Sequence, residues 1–345
     1  MRFDKLIANH ISTLTSDYFT LHSKFVTEAW GENSIRKNYE YLAWKFRSNK
    51  TDEIENVLIY HDENNNVLGQ IGMIPAKMVV ENKIYDCYWG CNFKVLKQYE
   101  EVGIGALLYL AARKKVGVSI GSNPSLQSYK IVKKLKSVET QGPKIFIMPV
   151  TFDHITSLKI SKKNFIFFNL VKMIFTCYIN FRKLFWKVFT KRETRIEKYP
   201  FDTAIIEEHR KSIELPHILH DADFFNWRIR EFKTYRKAAS LIYSLDEKSF
   251  ACFSVSKPYL MINEFKFNSV SDAISILNEL VIQAQNEGAA TIKILANYPD
   301  EEKLLGKLGF IGFSERIKIL YFLNEVEFPE IEKMHFDGYD GDYGL

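Results

Sequence analysis

This chain is poor in cysteine and in uninterrupted apolar sequence, and both shortages exclude classes of protein. It has 4 cysteines in 345 residues, and none stands with another Cys or His at the spacing of a zinc site. Cys87, Cys91, Cys177 and Cys252 are expected to be reduced and mostly buried, as in a cytoplasmic protein. The first residues, MRFDK, lack the apolar core of a signal peptide, so none is expected.

The charge balance is only mildly positive. The net charge is +5 and the isoelectric point about 8.7. These values fit an anionic small substrate or a negatively charged membrane surface, but not the dense basic stripe of a nucleic-acid binder. The 46% hydrophobic and 14% aromatic content predicts packed cores, and the length predicts about two domains.

Residues 98–108, QYEEVGIGALL, form the most informative stretch. They follow a predicted strand over 84–95 and open a predicted helix over 104–115. Gly103 and Gly105 allow the backbone to come close to a bulky ligand. The N–H groups of the first helical turn and the helix dipole favour an anionic ligand there, such as a pyrophosphate.

Two well-known phosphate-binding motifs do not fit this turn. A dinucleotide-binding loop needs a third glycine three residues after Gly105, and a P-loop needs Gly-Lys-Ser/Thr; neither is present. A strand leading to Gly121, Asn123 and Pro124, and then a helix ending near Lys134 and Leu135, follow instead. No metal and no covalent serine are expected.

This order resembles the GNAT (GCN5-related N-acetyltransferase) family, whose motif is Arg/Gln-x-x-Gly-x-Gly/Ala followed by a strand and a helix ending near Lys-Leu-Gly-Phe. Glu100 departs from it, because the family has Arg or Gln there. The resemblance implies an α/β (α+β) fold in which a mixed, mostly antiparallel sheet is flanked by helices. It also implies an acyl-CoA co-substrate.

The sequence also repeats itself weakly. The segments 41–47 (YLAWKFR) and 224–230 (FFNWRIR) each precede a strand, a polar turn and another strand. Later, each half has a strand followed by an Asn-Pro or Asn-x-Pro segment (123–124 and 297–299) and then by Lys-Leu (134–135 and 307–308). We therefore predict two tandem GNAT-like domains. The expected ranges are an acyl-CoA-binding domain over 1–155, a linker over 156–198, a degenerate second domain over 199–330 and an acidic tail over 331–345. The tail is disordered by default, with docking of its aromatic residues on the second domain as the alternative.

The two copies are not equivalent. Where the first has its double-glycine turn, the second has 265–272 (FKFNSVSD), with no glycine and with Ser and Asp to cap the next helix. Only the first domain is therefore expected to bind acyl-CoA. The second is expected to serve as a scaffold and to form one wall of the acceptor site.

The linker segment 163–192 is aromatic and basic. Lys172, Arg182 and Lys183 interrupt it too often for a transmembrane span, which needs about 20 predominantly apolar residues. Its helical spacing leaves three alternatives open: packing across both domains, contact with the inner leaflet of a membrane, or an oligomer interface.

The resemblance assigns a cofactor site. Backbone N–H groups of the turn would hold the CoA pyrophosphate, while Val95 and Lys97 line the end of the strand and Glu100 points outward. Asn123 would touch the pantetheine arm, or cap the following helix with Pro124 at its first position. The turn residues are Glu101, Val102, Gly103, Ile104, Gly105 and Ala106.

In this family an amine attacks a thioester directly, so a proton must leave the amine and another must reach the thiolate. Tyr129 is the expected acid. Asp86 or Tyr88, directly or through water, is the expected base. The remaining predicted contacts are to the acceptor substrate: Asn92, His220, Arg228 and Arg230.

Tandem domains of this kind are similar to acyltransferases that modify a nucleotide-linked amino sugar in bacterial surface-polysaccharide pathways, with an acetyl or longer acyl group such as 3-hydroxybutyryl. A Fem-like aminoacyl transferase using aminoacyl-tRNA, or a non-catalytic binding protein, are the alternatives. The expected partner is a small nucleotide sugar rather than nucleic acid. The expected location is the cytoplasm, including the inner membrane face, and the oligomeric state stays open.

Overall fold

The computed structural model describes residues 9–151, 165–189, 193–198, 201–230, 239–244, 246, 248–323 and 328–340. The chain divides into two compact units. Unit 1 consists of 1–142, 214–219 and 317–334, and unit 2 of 143–213, 220–316 and 335–345. The units are not the contiguous ranges expected from the sequence, because the first division falls at 142/143 and residues 317–334 return to unit 1.

Unit 1 is a mostly antiparallel sheet with helices. Its strands follow the order β1-β2-β3-β4-β5-β13, and β8 pairs with the end of β3. Only β4 and β5 are parallel. The strands are β1 (Ile11–Thr15), β2 (Glu53–His61), β3 (Val67–Val80), β4 (Lys83–Val95), β5 (Val118–Ser122), β8 (His217–Ile218) and the end of β13 (Ile311–Leu323).

The helices of unit 1 bury one face each. The third has apolar residues at i, i+3, i+4, i+7 and i+8, and all of them are buried: Ile104, Leu107, Leu108, Ala111 and Ala112. The helices are α1 (Ser16–Trp30), α2 (Tyr39–Lys45), α3 (Ile104–Lys114) and α4 (Leu126–Lys134), with short 3-10 turns at Ile35–Lys37 and Lys97–Tyr99.

Unit 2 repeats this plan. Its strand order is β6-β12-β11-β10-β9-β7, in which only β11 and β12 are parallel. The strands are β6 (Val138–Pro149), β7 (Thr194–Lys198), β9 (Ser240–Ser244), β10 (Phe250–Ser256), β11 (Tyr259–Lys266) and β12 (Thr291–Ala296). The helices are α5 (Phe165–Phe189), α6 (Ala204–Lys211), α7 (Ala222–Phe225) with a π-helical turn at Asn226–Arg230, α8 (Val270–Asn286) and α9 (Pro299–Lys307).

The predicted fold class is confirmed, and the repeat is visible in the element order. β2-β3-β4-α3-β5-α4 in the first half corresponds to β9-β10-β11-α8-β12-α9 in the second. The last strand of each repeat pairs with a strand of the other repeat. β6, which ends the first repeat, pairs with β12, and β13, which ends the second, pairs with β5. This exchange of strands is why the units are not contiguous in sequence.

The Trp-Lys and Trp-Arg landmarks of the repeat place a buried cation at matching positions. Lys45 is 0% exposed and Arg228 is 1% exposed. Aromatic rings lie close to both charges, since Lys45 Nζ is 5.9 Å from the Tyr41 ring centroid and the Arg228 guanidinium is 5.3 Å from that of Trp227. The sequence drew attention to the tryptophans, but the neighbouring cations are the most buried members of each pair.

A buried histidine in unit 1 is expected to make the fold less stable at acidic pH. His22 is 0% exposed and lies 2.6 Å from Gln70 Oε1. Burial lowers the pKa of His22 to about 4. The neutral ring therefore stabilises the fold above the unfolded pKa of 6.5, and this stabilisation, on the order of 3 kcal/mol, is lost as the pH falls to about 4.

We expect the free energy of unfolding of His22→Gln, measured in urea, to decrease less than that of the wild type between pH 7 and pH 4. His61→Gln, at a partly exposed position, is the matched control and should leave this decrease unchanged. An equal decrease in both variants would contradict this role of His22.

Candidate functional site

The double-glycine turn has the backbone that its sequence predicts. Gly103 has φ +91°, in the left-handed region, and a Cβ added there would meet nothing within 4 Å. Gly105 is needed for packing as well, because a Cβ there would lie 2.9 Å from the Phe93 ring. The two glycines therefore serve different purposes, backbone conformation at Gly103 and close packing at Gly105.

The turn presents backbone donors at the start of α3. The N–H of Val102 donates to the carbonyl of Tyr99 at 3.2 Å, and that of Ala106 to the carbonyl of Gly103 at 3.1 Å. Within the described part of the chain, the amides of Glu101, Gly103, Ile104 and Gly105 donate to nothing. Of the six residues predicted to supply donors, four therefore have an available N–H.

Glu100 does not simply point outward. Its carboxylate accepts a hydrogen bond from Gln127 Nε2 at 2.9 Å and lies 3.6 Å from Lys94 Nζ. These contacts hold a negative charge close to the start of α3 in sequence, where an anionic ligand would be expected. The usual Arg or Gln of the motif would not oppose such a ligand.

A cavity opens where β4 and β5 separate. The two parallel strands pair only at Cys87–Val118, Tyr88–Ser119 and Trp89–Ile120. Beyond Gly90 and Gly121 they diverge, and a cavity of about 210 Å³ lies between the elements around them. Its walls come from β3, β4, β5, α3, α4 and β13: Ile71, Met73, Gly90, Cys91, Phe93, Tyr109, Ala112, Ser119, Ile120, Gly121, Ser122, Pro124, Ser125, Ser128, Val132, Leu320 and Phe322.

Hydroxyl groups supply most of the side-chain polarity of the cavity. Tyr109 of α3 and Ser128 of α4 both line it, and hydrogen bonding from Ser128 partly offsets the effect of burial on the pKa of Tyr109. Ser128 Oγ is 2.9 Å from Oγ of Ser125, which caps α4. Burial raises the pKa of Tyr109 to about 12, so its hydroxyl keeps its proton at neutral pH. Tyr109 is packed deep in the unit, yet it keeps accessible surface because it faces the cavity.

Tyr129, the tyrosine chosen from the sequence, does not line this cavity. Its hydroxyl donates to Glu139 Oε2 at 2.7 Å, and this hydrogen bond raises its pKa. The Lys318 ammonium lies 5.3 Å from its ring centroid. Sequence alignment to the family motif placed the tyrosine position near Tyr129, whereas the structure brings Tyr109 to the cavity. The signal available in the sequence was the helical spacing of Tyr109 from Gly105, four residues along the same face.

The other predicted residues of unit 1 lie around the cavity rather than in it. Asp86 is exposed, and Tyr88 is half-buried, with its pKa raised by burial and then by Asp86. Val95 is buried and Lys97 is exposed. Their predicted roles stay predictions.

Asn123 closes the β5–β13 ladder. Its N–H donates to the carbonyl of Lys318 at 2.9 Å, and its Oδ1 accepts from the Lys318 N–H at 3.4 Å. Ser125, not Asn123, caps α4, and the helix begins at Leu126. The capping alternative for Asn123 was therefore wrong, while Pro124 and Ser125 reach the cavity wall.

A β-bulge in β4 places Asn92 at the centre of a buried polar cluster. Lys94 pairs with Gln70 and Cys91 with Gly72, so the bulge holds Asn92, whose φ is +48°. Asn92 is 8% exposed, and its Oδ1 accepts from Arg36 Nε and Lys45 Nζ, each at 3.2 Å. Its Nδ2 has no hydrogen-bond partner among the described residues, which keeps the predicted contact with substrate open.

Ser119 belongs to the string Gly117-Val118-Ser119-Ile120-Gly121, which has the letters of a nucleophile elbow. Here the string lies in β5 and not in a strand-to-helix turn, because Ser119 pairs with Tyr88 and with Phe322. No histidine or carboxylate is bonded to Ser119 in the described residues. The context of a covalent serine is therefore missing at this position.

The residues of the second half predicted to contact substrate are buried inside unit 2. His220 is 2% exposed and stacks on the Phe224 ring at 3.9 Å, and Arg228 is 1% exposed. Neither presents its charge to solvent, so their prediction as substrate contacts was wrong. The side chain of Arg230 lies outside the described residues.

His220 belongs to a buried ionic cluster. Its Nε2 is 2.8 Å from Asp340, its Nδ1 contacts Glu264, and Arg210 Nη1 is 2.5 Å from Asp337 and 3.3 Å from Glu264. Burial and Arg210 lower the pKa of His220, but Glu264 and Asp340 raise it more, so the net shift is upward. Burial raises the pKa of Asp337, and its cationic neighbours, His335 and Arg210, lower it more.

Ligand atoms of His220, Glu264 and Asp337 lie within 4.8 Å of one another, a spacing that suits a metal ion. The Arg210 guanidinium contacts both carboxylates and supplies the positive charge there.

Residues 335–340, the strap, are ordered and occupy the corresponding cleft of unit 2. Disorder was the default expectation for this segment, but Phe336 and Tyr339 are 0% and 1% exposed, which agrees with the alternative that its aromatic residues dock on the second domain. The Phe336 N–H donates to Asn297 Oδ1 at 2.8 Å, just after β12, and the Gly338 N–H donates to the carbonyl of Asn263 at 2.9 Å.

Asn263 is the bulged residue of β11, the counterpart of the bulge in β4. Gly338 fits there because it lacks a side chain, since a Cβ would lie 2.7 Å from Asn263 Oδ1. The strap therefore contacts the same part of unit 2 in which unit 1 has its cavity. The N-terminus of α8 is also satisfied internally, because Ser269 accepts from the Asp272 N–H.

Comparisons with solved structures agree on the fold. A GCN5-related N-acetyltransferase from Kribbella flavida matches with a TM-score of 0.59 at 10% identity, covering 91% of this chain and 70% of that one. One from Anabaena variabilis gives 0.57 at 8% identity, with 91% and 72% covered. Saccharomyces cerevisiae N-myristoyltransferase with bound myristoyl-CoA gives 0.58 at 9% identity, with 91% and 83% covered.

No protein-family model and no curated protein matches the sequence. At these identities the structural likeness establishes the fold, which is that of the GCN5-related N-acetyltransferases, and leaves the activity to the chemistry of the site.

Proposed function

We propose that this protein is an acyl-CoA-dependent N-acyltransferase that moves an acyl group to the amine of a nucleotide-linked amino-deoxy sugar by direct attack. One observation supports it above the others: the cavity between the diverging strands β4 and β5 adjoins α3, and residues 101–105, at and just before the start of α3, have four available backbone N–H groups. An extended, anionic thioester needs both features, donors for its pyrophosphate and a slot for its pantetheine arm.

In this proposal the thioester carbonyl enters the cavity. The amine nitrogen of the acceptor attacks the carbonyl carbon, and the carbon–sulfur bond breaks. Tyr109 donates its hydroxyl proton to the departing thiolate and recovers one through Ser128 and Ser125. The proton of the amine leaves to water or to the base predicted in β4, Asp86 or Tyr88.

The cavity volume bears on the acyl group. A cavity of about 210 Å³ is smaller than the range of about 300–1,000 Å³ usual for a whole ligand site. It suits the end of the pantetheine arm and a short acyl chain, such as acetyl or 3-hydroxybutyryl. A long fatty chain would need a larger apolar pocket.

The acceptor half of the proposal rests on the sequence resemblance. With His220 and Arg228 buried, Asn92 and Arg230 are the predicted acceptor contacts that remain. Asn92 is buried, and its Nδ2 has no partner in the described residues. It lies in β4 between Cys91 and Phe93, which line the cavity.

A thermal-shift titration with CoA, acetyl-CoA and longer acyl-CoAs tests the proposal. A ligand at about 100 times its dissociation constant stabilises the fold by about 2.7 kcal/mol. We expect that shift with the wild type and its loss in Gly121→Val, which extends a side chain from the cavity wall. A Cβ at Gly121 meets nothing within 4 Å, so the variant should fold.

Gly306→Val is the matched control, because a Cβ there also meets nothing within 4 Å and the position lies in unit 2. No shift with any CoA would overturn the proposal and favour a binding protein. A shift without transfer to nucleotide amino sugars would leave the cofactor site standing and reject the acceptor.

Glu100→Gln is expected to tighten CoA binding about fivefold. The carboxylate lies beside the turn, and its removal takes away a repulsion on the order of 1 kcal/mol from the pyrophosphate, at low salt. Isothermal titration calorimetry with CoA at low and high salt measures the gain, which should shrink as salt screens the charge.

Glu279→Gln removes a carboxylate of α8 in unit 2 and should leave the affinity unchanged. Equal or weaker binding by Glu100→Gln at low salt would place the pyrophosphate away from this turn.

A further inference from the structure

Helix α5 (Phe165–Phe189) has one buried and one exposed apolar face. Ile179, Arg182 and Trp186 are buried, at 8%, 5% and 3% exposure, and Trp186 joins the core of unit 2. Their spacing of three and four residues puts them on one side of the helix. The opposite side is apolar too and exposed, with Tyr178 at its edge, where the hydroxyl donates to the carbonyl of Gly309 at 2.9 Å.

The exposed side is a continuous apolar stripe. Its large side chains are 39% to 69% exposed and recur at helical spacing over about 21 Å of the helix axis. Six of the 17 exposed large apolar side chains in the described residues lie here, so this is a patch and not scattered exposure. The stripe consists of Leu170, Met173, Ile174, Tyr178, Phe181 and Leu184, with the exposed Cys177 between them.

Positive charge is concentrated in the same part of the chain. From position 154 to position 192 the sequence contains nine Lys or Arg residues and no Asp or Glu. The net charge of the whole chain is only +5, so the remainder is net negative. Within α5, Lys172 is exposed and lies two helical turns before Ile179, on the side of the helix opposite the stripe.

These charges decide between the candidate occupants of the stripe. No helix among the described residues is long and apolar enough to cross a membrane. A second copy of the chain would place this basic segment against an identical one, and like charges oppose such a pairing. An anionic bilayer surface offers acyl chains to the stripe and negative headgroups to the basic residues.

We propose that α5 lies in the headgroup region of an anionic lipid bilayer, with its apolar stripe among the acyl chains and the positive charge of its segment attracted to the headgroups. Unit 2 would then be held at the membrane by the face of α5 that its own core does not use. The proposal is independent of acyl transfer, and its flotation test contains no CoA.

Flotation of the full chain with phosphatidylcholine vesicles, with and without phosphatidylglycerol, tests the proposal. We expect binding at least tenfold tighter to the anionic vesicles, weakened by added salt. The triple variant Ile174→Ser/Phe181→Ser/Leu184→Ser should lose at least tenfold in affinity for them. These side chains are 59%, 69% and 63% exposed, so the fold should tolerate the changes.

Ile311→Ser/Phe313→Ser is the matched control, because its side chains are 56% and 50% exposed on β13. It should float like the wild type. Lys172→Glu should reduce the preference for anionic vesicles specifically.

Absence of wild-type flotation, or equal flotation of the triple variant, would overturn the proposal. So would a dimer in sedimentation that the triple variant abolishes without any vesicle binding, since a second copy would then cover the stripe. The CoA thermal shift should persist in the triple variant, which separates failure here from failure of the proposed function.

Discussion

Replacing Asp337 with alanine is expected to lower the free energy of unfolding by about 3–5 kcal/mol. The carboxylate lies 2.5 Å from Arg210 Nη1, and the Arg210 side chain is only 4% exposed. Its removal leaves the buried guanidinium with less negative charge around it, although Glu264 at 3.3 Å and the nearby Asp340 remain. Chemical denaturation of the full chain measures the loss as a lower midpoint at unchanged slope.

Lys211→Ala is the matched control, one residue along the same helix. Lys211 pairs with Glu208 at 2.9 Å, but both side chains are about three-quarters exposed, at 74% and 76%. Water screens such a pair, so no measurable change is expected. A midpoint for Asp337→Ala equal to that of the control would mean that the strap is not held in place by this ion pair.

If Asp337→Ala does not fold, Asp340→Asn is the milder alternative. Asp340 lies 2.8 Å from His220 Nε2, and its carboxylate helps to raise the pKa of His220. A raised pKa means that the charged ring stabilises the fold below the unfolded pKa, and that this contribution disappears as the pH rises through the folded value. Asp340→Asn should therefore lower the free energy of unfolding at low pH. It should also reduce the loss of stability that occurs as the pH rises above 6.5.

Tyr109→Phe is expected to lower kcat by about 100- to 1,000-fold with little change in KM, if the proposed transfer occurs. The hydroxyl lies in the cavity wall beside Ser128, and its pKa of about 12 keeps it protonated as a donor. Its proton is needed only when the thiolate leaves, which is why the effect should fall on kcat. Steady-state kinetics with acetyl-CoA and a nucleotide amino sugar measures it.

Tyr129→Phe removes the same atom one helix away and serves as the control. Its hydroxyl bonds to Glu139 at 2.7 Å and does not line the cavity, so kcat should stay within a factor of a few. The reverse outcome, with Tyr129→Phe inactive and Tyr109→Phe active, would restore the assignment made from the sequence motif. Unchanged CoA thermal shifts in both variants would show that binding is intact.

Some features of the repeat follow from local sequence patterns, and others do not. The alternation of β4, the glycine turn and the apolar spacing of α3 are local, and the structure has them within a residue or two of the predicted bounds. The exchange of β6 and β13 between units has no local signal. The composition of each strand does not specify its pairing partner. The pairing depends instead on how the whole chain packs.

The site shows the same division. The position of the turn followed from Gly103 and Gly105, because backbone conformation depends on the residue itself. The choice between Tyr109 and Tyr129 did not, because it depends on how α3 and α4 pack around the cavity. The burial of His220 likewise depends on Asp340, which lies 120 positions away in sequence.

Local sequence patterns were enough to predict the class of fold, the repeat and the glycine turn, because periodicity and glycine conformation act over a few residues. Which hydroxyl lines the cavity, which strand completes each unit and where residues 335–340 lie depend on contacts between residues that are distant in sequence. A short acidic segment such as 335–340 (HFDGYD) has too few apolar residues to predict order from its own composition. It is ordered here because Arg210, His220 and Asn263, distant in sequence, together provide its counter-charges and hydrogen bonds.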